Sequence, residues 1–159
     1  MATYTYKPGL GQSAAYQVSG KPFVSGTIDA KTCEPRGTGA GDAGPGEKRI
    51  NFTNVTSWIT VINHAAFPCR VGFSHNGVLG KGISGGGSTN NYIVLGASVN
   101  NVPEMIGPLD LKVTQIWLSG STDVDVIAGL TYIDSTDINN PSVSPDGANW
   151  SGSLGAQVG

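Results

Sequence analysis

Apolar and polar residues alternate through much of this chain, and helical periodicity is nearly missing. In "DVDVIAGLTYI" (123–133), Val124, Val126, Ala128, Leu130 and Tyr132 fall on one face, with Asp123, Asp125 and Thr131 on the other. That is the period-2 signature of a half-buried strand. "SWITVIN" (57–63), "NYIVLGA" (91–97) and "LDLKVTQIWLS" (109–119) read as strands equally clearly. Within 109–118, Leu111, Val113 and Trp117 share a face while Ile116 and Leu118 sit opposite, as in a strand covered on its second side. Weaker strand patterns are "AAYQVS" (14–19), "PFVSGTI" (22–28), "KRINFT" (48–53) and "CRVGFS" (69–74). Pro22 cannot donate to a ladder, so it should start its strand or lie on an edge.

Between these segments lie two long glycine-rich connections, 29–47 and 75–90, and a Pro/Gly turn at "NNVPEMIGP" (100–108). "WLSGSTD" reads as a hairpin loop around Gly120. About eight short antiparallel strands with long crossing connections predict an all-β fold, a single jelly-roll β-sandwich. A Greek-key sandwich of immunoglobulin type is the other candidate, but Trp58 stands before Cys69 and the Cys–Trp–Cys spacing is wrong. The chain divides into an N-terminal arm (1–13), the sandwich domain (14–133) and a C-terminal arm (134–159). From Asp134 onward there is no Lys or Arg, and Trp150 is the one large aromatic.

Charged residues make up only 13% of the chain, about half the usual share, yet β-branched residues are too abundant for disorder. A net charge of −2 argues against nucleic-acid binding, which needs a basic surface to displace counterions. All the Lys and Arg lie within 1–112, whereas 113–159 holds acids alone, a split that favours contact between neighbouring copies. "MATYTYKPGLGQ" lacks the basic and apolar regions of a secretory signal, and no apolar run is long enough to cross a bilayer. Cys33 and Cys69 are expected as free thiols.

Glycine abundance produces motif look-alikes. "GAGDAG" (39–44) and "GKGISG" (80–85) fit G-x-G-x-x-G, but neither joins a strand to a helix, the context a phosphate cradle requires. "GISGG" (82–86) matches a nucleophile elbow around Ser84, yet the following "GSTNN" cannot hold the helix that the elbow needs. His64 and His75 lack metal-site spacing. Asp123 and Asp125 leave one strand on the same side and read as solvated carboxylates before a weak calcium site. Trp58 and Trp117 stand among β-branched residues and are expected in the core. Trp150, in a segment too polar to fold alone, reads as an anchor for a partner's pocket. No catalytic residue, metal or cofactor is therefore expected.

The succession "YQVSGKPFVSG", "KRINFTNVTSWITVINHAAFPCRVGFS", "NYIVLGAS" and "LDLKVTQIWLSG…DVIAGLTYI" resembles the single jelly-roll penton and minor capsid proteins of large icosahedral double-stranded DNA viruses, such as those infecting algae. The resemblance spans roughly residues 14–133 and rests on strand order and turn-rich texture. It implies a non-enzymatic shell protein made in the host cytoplasm and placed in the virion. Five copies would surround a vertex, in contact with one another and with other capsid proteins, and nucleic acid and membrane insertion would play no part. In that picture the arms are interface segments, with Tyr4, Tyr6, Trp150 and Leu154 as their contact residues. A carbohydrate-binding or fibre/adhesin module stays open as the alternative, and it predicts an exposed Trp58 or Trp117 beside Asn and Asp side chains. An enzyme on a sandwich scaffold would need a cleft with carboxylates or His64.

Overall fold

The structure is a computed structural model, and it describes residues 20–31, 46–73, 77–78 and 92–138. Eight strands follow one another: β1 (Lys21–Ile28), β2 (Glu47–Asn51), β3 (Asn54–Asn63), β4 (Cys69–Gly72), β5 (Tyr92–Leu95), β6 (Glu104–Leu109), β7 (Gln115–Ser119) and β8 (Val124–Asp134). A single helical turn, α1 (Ser135–Ile138), comes after β8. The strands form two four-stranded antiparallel sheets, the first in the order β1-β8-β3-β6 and the second in the order β2-β7-β4-β5. The protein is thus the all-β sandwich that the alternating pattern predicts.

Pairing follows a simple rule. β1 pairs with β8, β2 with β7, β3 with β6 and β4 with β5, alternately in the first and the second sheet. The first half of the chain therefore runs antiparallel to the second half like one long hairpin, folded over so that successive pairs face each other. Two further ladders, β3 with β8 and β4 with β7, complete the sheets.

The core lies between the sheets. Ile59 and Val61 of β3 and Val124, Val126, Ala128 and Leu130 of β8 meet Ile50, Cys69, Val71, Leu95, Ile116 and Leu118 of the second sheet in one buried cluster. Phe23 of β1 and Phe52, just past β2, meet edge to face with ring centroids 5.0 Å apart, an orientation that sets a positive ring edge on a negative face.

The strand pattern departs from the sequence reading in four places. The expected strand 109–119 is two elements, because Asp110–Thr114 leaves the first sheet at the end of β6 and enters the second at β7. Leu111 and Val113 consequently join the core side instead of sharing a face with Trp117. Second, the Pro/Gly stretch 100–108 contains β6. It is an edge strand, where Pro108 breaks no ladder that matters, and the turn before it is the tight pair Asn100–Asn101, both at positive φ. Third, Gly120 does not close a hairpin, since β7 and β8 lie in different sheets. At φ 95° Gly120 turns the chain across the sandwich, and its N–H and the Ser121 carbonyl both bond to Ala30.

Fourth, the alternation in β8 slips. The β3–β8 register shifts around Thr56, so Leu130 and Thr131 are both buried and Ile133 takes the inward place expected for Tyr132. Tyr132 stands 55% exposed. The Thr131 hydroxyl donates to the Val55 carbonyl at 2.8 Å, satisfying an acceptor at the irregular part of the ladder. The Thr56 hydroxyl, also buried, accepts from the Val113 N–H at 3.0 Å and ties the crossing segment to β3.

The expected strand 14–19, both arms up to residue 13 and beyond 138, Cys33, His75, Ser84 and the two glycine motifs lie outside the described residues. β8 runs to Asp134, whose carboxylate accepts from the Thr136 N–H and hydroxyl and so starts α1.

Candidate functional site

The two faces of the sandwich are unequal. On the second sheet all five residues of β7 are buried, Trp117 among them. Trp117 lies on the side away from the core, opposite Gly72 of β4, where a side chain on Gly72 would come within 3.1 Å of the buried Val78. The second side of β7 is covered, as its two-sided apolar pattern predicts. The first sheet has no such cover among the described residues. Its outer face carries the row Val24–Ile127–Thr60 and the row Asp125–Ile62–Met105.

Trp58 belongs to this outer face and not to the core, correcting the expectation for it. The register places it across from Gly129, which offers no side chain, with Pro22 on the far side. Trp58, Thr60, Pro108 and Asp110 line a shallow groove of about 290 Å³. Behind it, the Lys112 ammonium donates to the Ser57 carbonyl at 2.8 Å.

At the other end of the same face, His64 Nε2 lies 3.0 Å from Asp125 Oδ2. The second carboxylate oxygen of Asp125 accepts from the Thr27 N–H at 2.9 Å. Thr27 sits at φ 53°, an unfavourable region for a β-branched residue, in the irregular part of the β1–β8 ladder. Asp125 therefore holds a bulge in place and is committed to that task. No group of three or more His, Cys, Asp or Glu side chains that could hold a metal ion occurs among the described residues.

The two long sides of the sandwich differ in chemistry. One side is formed by the edge strands β1 and β2, linked by the Phe23–Phe52 contact; it exposes Lys21, Pro22 and Val24 from β1 and Lys48 and Arg49 from β2. The Arg49 guanidinium lies 5.6 Å from the Trp117 ring centroid, which leaves the two lysines as the freer cations. The opposite side is formed by β5 and β6. It exposes Val94, Val99, Val102 and Met105, each at least 60% accessible, together with Glu104 and Asp110. Val99 and Val102 pair across the Asn100–Asn101 turn, so this hairpin tip holds two valines in a fixed pose. Arg70 on the neighbouring β4 is drawn onto the Tyr92 ring, 4.6 Å from its centroid.

Cys69 is a free, fully buried thiol at the start of β4. Burial pushes it from 9.0 up to about 11, partly offset by a backbone hydrogen bond from Ser119. Because the folded value exceeds the unfolded one, the unfolded chain loses its proton first, and stability should fall as pH rises from about 9 to about 11. At pH 8 the native thiol should resist iodoacetamide, with labelling appearing only when the chain is unfolded. Peptide mapping by mass spectrometry would check this, and fast native labelling at Cys69 would show that the site is open.

Of the residues expected to make contacts, Tyr4, Tyr6, Trp150 and Leu154 lie outside the described residues. The exposed valines of the β5–β6 side were missed by the sequence reading. Val102 and Met105 fall in the stretch 100–108 read as a turn, with Val99 just before it, and nothing local in the sequence says that a turn lies on an outer edge. Compared with protein-family models, curated proteins and solved structures, the chain matches none.

Proposed function

We propose that this protein is a structural component of an icosahedral virus shell, a single jelly roll standing at a five-fold vertex or in another minor capsid position. The observation that carries the reading is the winding: strands paired first with last, second with seventh, third with sixth and fourth with fifth, alternately in two facing sheets. Two Greek keys folded from one long hairpin make a jelly roll, an architecture used by viral capsid domains. Because one fold serves many tasks, the surface must supply the function. Here it offers apolar residues along a sandwich side, where a shell protein meets its neighbours, with the two terminal arms as further contact segments.

The specific test is molar mass in solution by light scattering, for the full chain and for a version ending after Ile138, which keeps β8 and α1 whole. A closed multimer, five-fold at a vertex, is expected for the full chain, and weaker association for the shortened one. A chain that stays monomeric at every concentration would count against shell assembly.

One observation favours a second reading. Trp58 is half-buried and lines the groove beside Asp110 and Thr60, the kind of arrangement that a carbohydrate-binding module uses for stacking on a sugar ring and bonding to its hydroxyls. A glycan array separates the two: specific glycan binding by a monomer would favour the module.

A further inference from the structure

We infer that copies of this chain join side by side and head to tail, the β5–β6 side of one against the β1–β2 side of the next. The inference rests on the shell reading and names the surfaces that would serve it.

Both sides end in edge strands that pair with no further strand among the described residues, the kind of edge that invites another chain. Each edge also carries an exposed apolar centre, Val24 at 69% on β1 and Val94 and Met105 at 60% on β5 and β6. Their charges are opposite. Among the described residues, the β1–β2 side exposes Lys21, Lys48 and Arg49, while Glu47 of β2 is buried. The β5–β6 side exposes Glu104 and Asp110, while the Arg70 and Lys112 head groups near it are engaged with the Tyr92 ring and the Ser57 carbonyl.

A two-fold contact would set each side against itself, lysine facing lysine or carboxylate facing carboxylate. Like charges across an interface cost association free energy, and opposite charges fix register and partner. A contact between unlike surfaces is heterologous, and such contacts close into rings when the rotation between copies permits. A ring is what a vertex needs. The chain cannot satisfy the contact by itself, because the two sides lie at opposite ends of each sheet order.

The experiment is charge reversal in the full chain, read by light scattering across a concentration series. Lys21→Glu with Lys48→Glu makes both sides acidic; Glu104→Lys with Asp110→Lys makes both basic. Each double variant should need on the order of a hundredfold more protein to associate than the native chain. Mixed one to one, the two should associate again, because each contact between unlike variants pairs opposite signs; a five-membered ring keeps one like-signed contact, so recovery should be strong but short of native. Circular dichroism of each variant separates loss of contact from loss of fold. Native assembly that survives both reversals, or a mixture no more associated than its parts, would overturn the head-to-tail pairing and leave the shell reading standing. A native chain that never assembles would overturn both.

Discussion

Replacing Asn63 by alanine is expected to cost about 3–5 kcal/mol of folding stability, a large loss for a single polar side chain. Asn63 ends β3 fully buried, and all its hydrogen-bonding groups are used. Its amide nitrogen donates to the carbonyls of Phe67 and Gly96, each at 2.7 Å. Its oxygen accepts from the Ser121 hydroxyl at 2.7 Å and from the Ala65 N–H at 3.2 Å. Four segments meet at this one amide: the end of β3, the turn into β4, the start of the β5–β6 connection and the turn between β7 and β8.

Alanine would leave the Ser121 hydroxyl and two carbonyls without that partner in a space closed to water, and each such loss costs about 1–3 kcal/mol. Aspartate is the informative control. It keeps the volume but turns the two donors into acceptors facing two carbonyl oxygens, so it should rescue nothing. Urea unfolding of the three proteins checks this through the midpoint, provided the slope stays constant. An Asn63→Ala loss under about 1 kcal/mol would mean that water replaces the amide, contrary to the burial seen here.

Gly107→Ala should destabilise by about 3 kcal/mol or more. Gly107 adopts φ 123°, and a side chain there would stand 2.7 Å from the Ile59 carbonyl oxygen and 2.9 Å from Thr60 Cα. These are backbone atoms of β3, and β3 cannot retreat because β8 holds its other edge. The close approach coincides with the register shift between β3 and β6. Gly96→Ala offers the contrast: its nearest neighbour would be the Glu104 side chain at 3.5 Å, an ordinary contact, and about 1 kcal/mol or less should be lost. Thermal unfolding of the two variants side by side decides the matter. Equal effects would mean that β6 shifts freely and that its edge is looser than the ladder shows.

By itself the sequence determined the class of fold. Alternation with a period of two needs only local information, and it marks the β8 segment, both covered faces of β7 and most of β1–β5 correctly. Proline placement was legible as well, with Pro22 on an edge strand as its missing N–H requires. What the sequence could not fix depends on contacts far along the chain. Gly120 has the residue pattern of a hairpin loop, and only the docking of Ala30 and the competing β1–β8 ladder send β8 to the other sheet. Tyr132 reads as an inward residue until the register slip beside Thr56, a two-strand property, turns Ile133 inward instead. Trp58 and Trp117 look alike in sequence. One is buried beside Gly72, over which Val78 packs, and the other opens onto a groove because its cross-strand neighbour is glycine. Local periodicity sets which residues can share a face; which faces are covered, and which edges remain to meet another copy, is decided only when the two sheets close on each other.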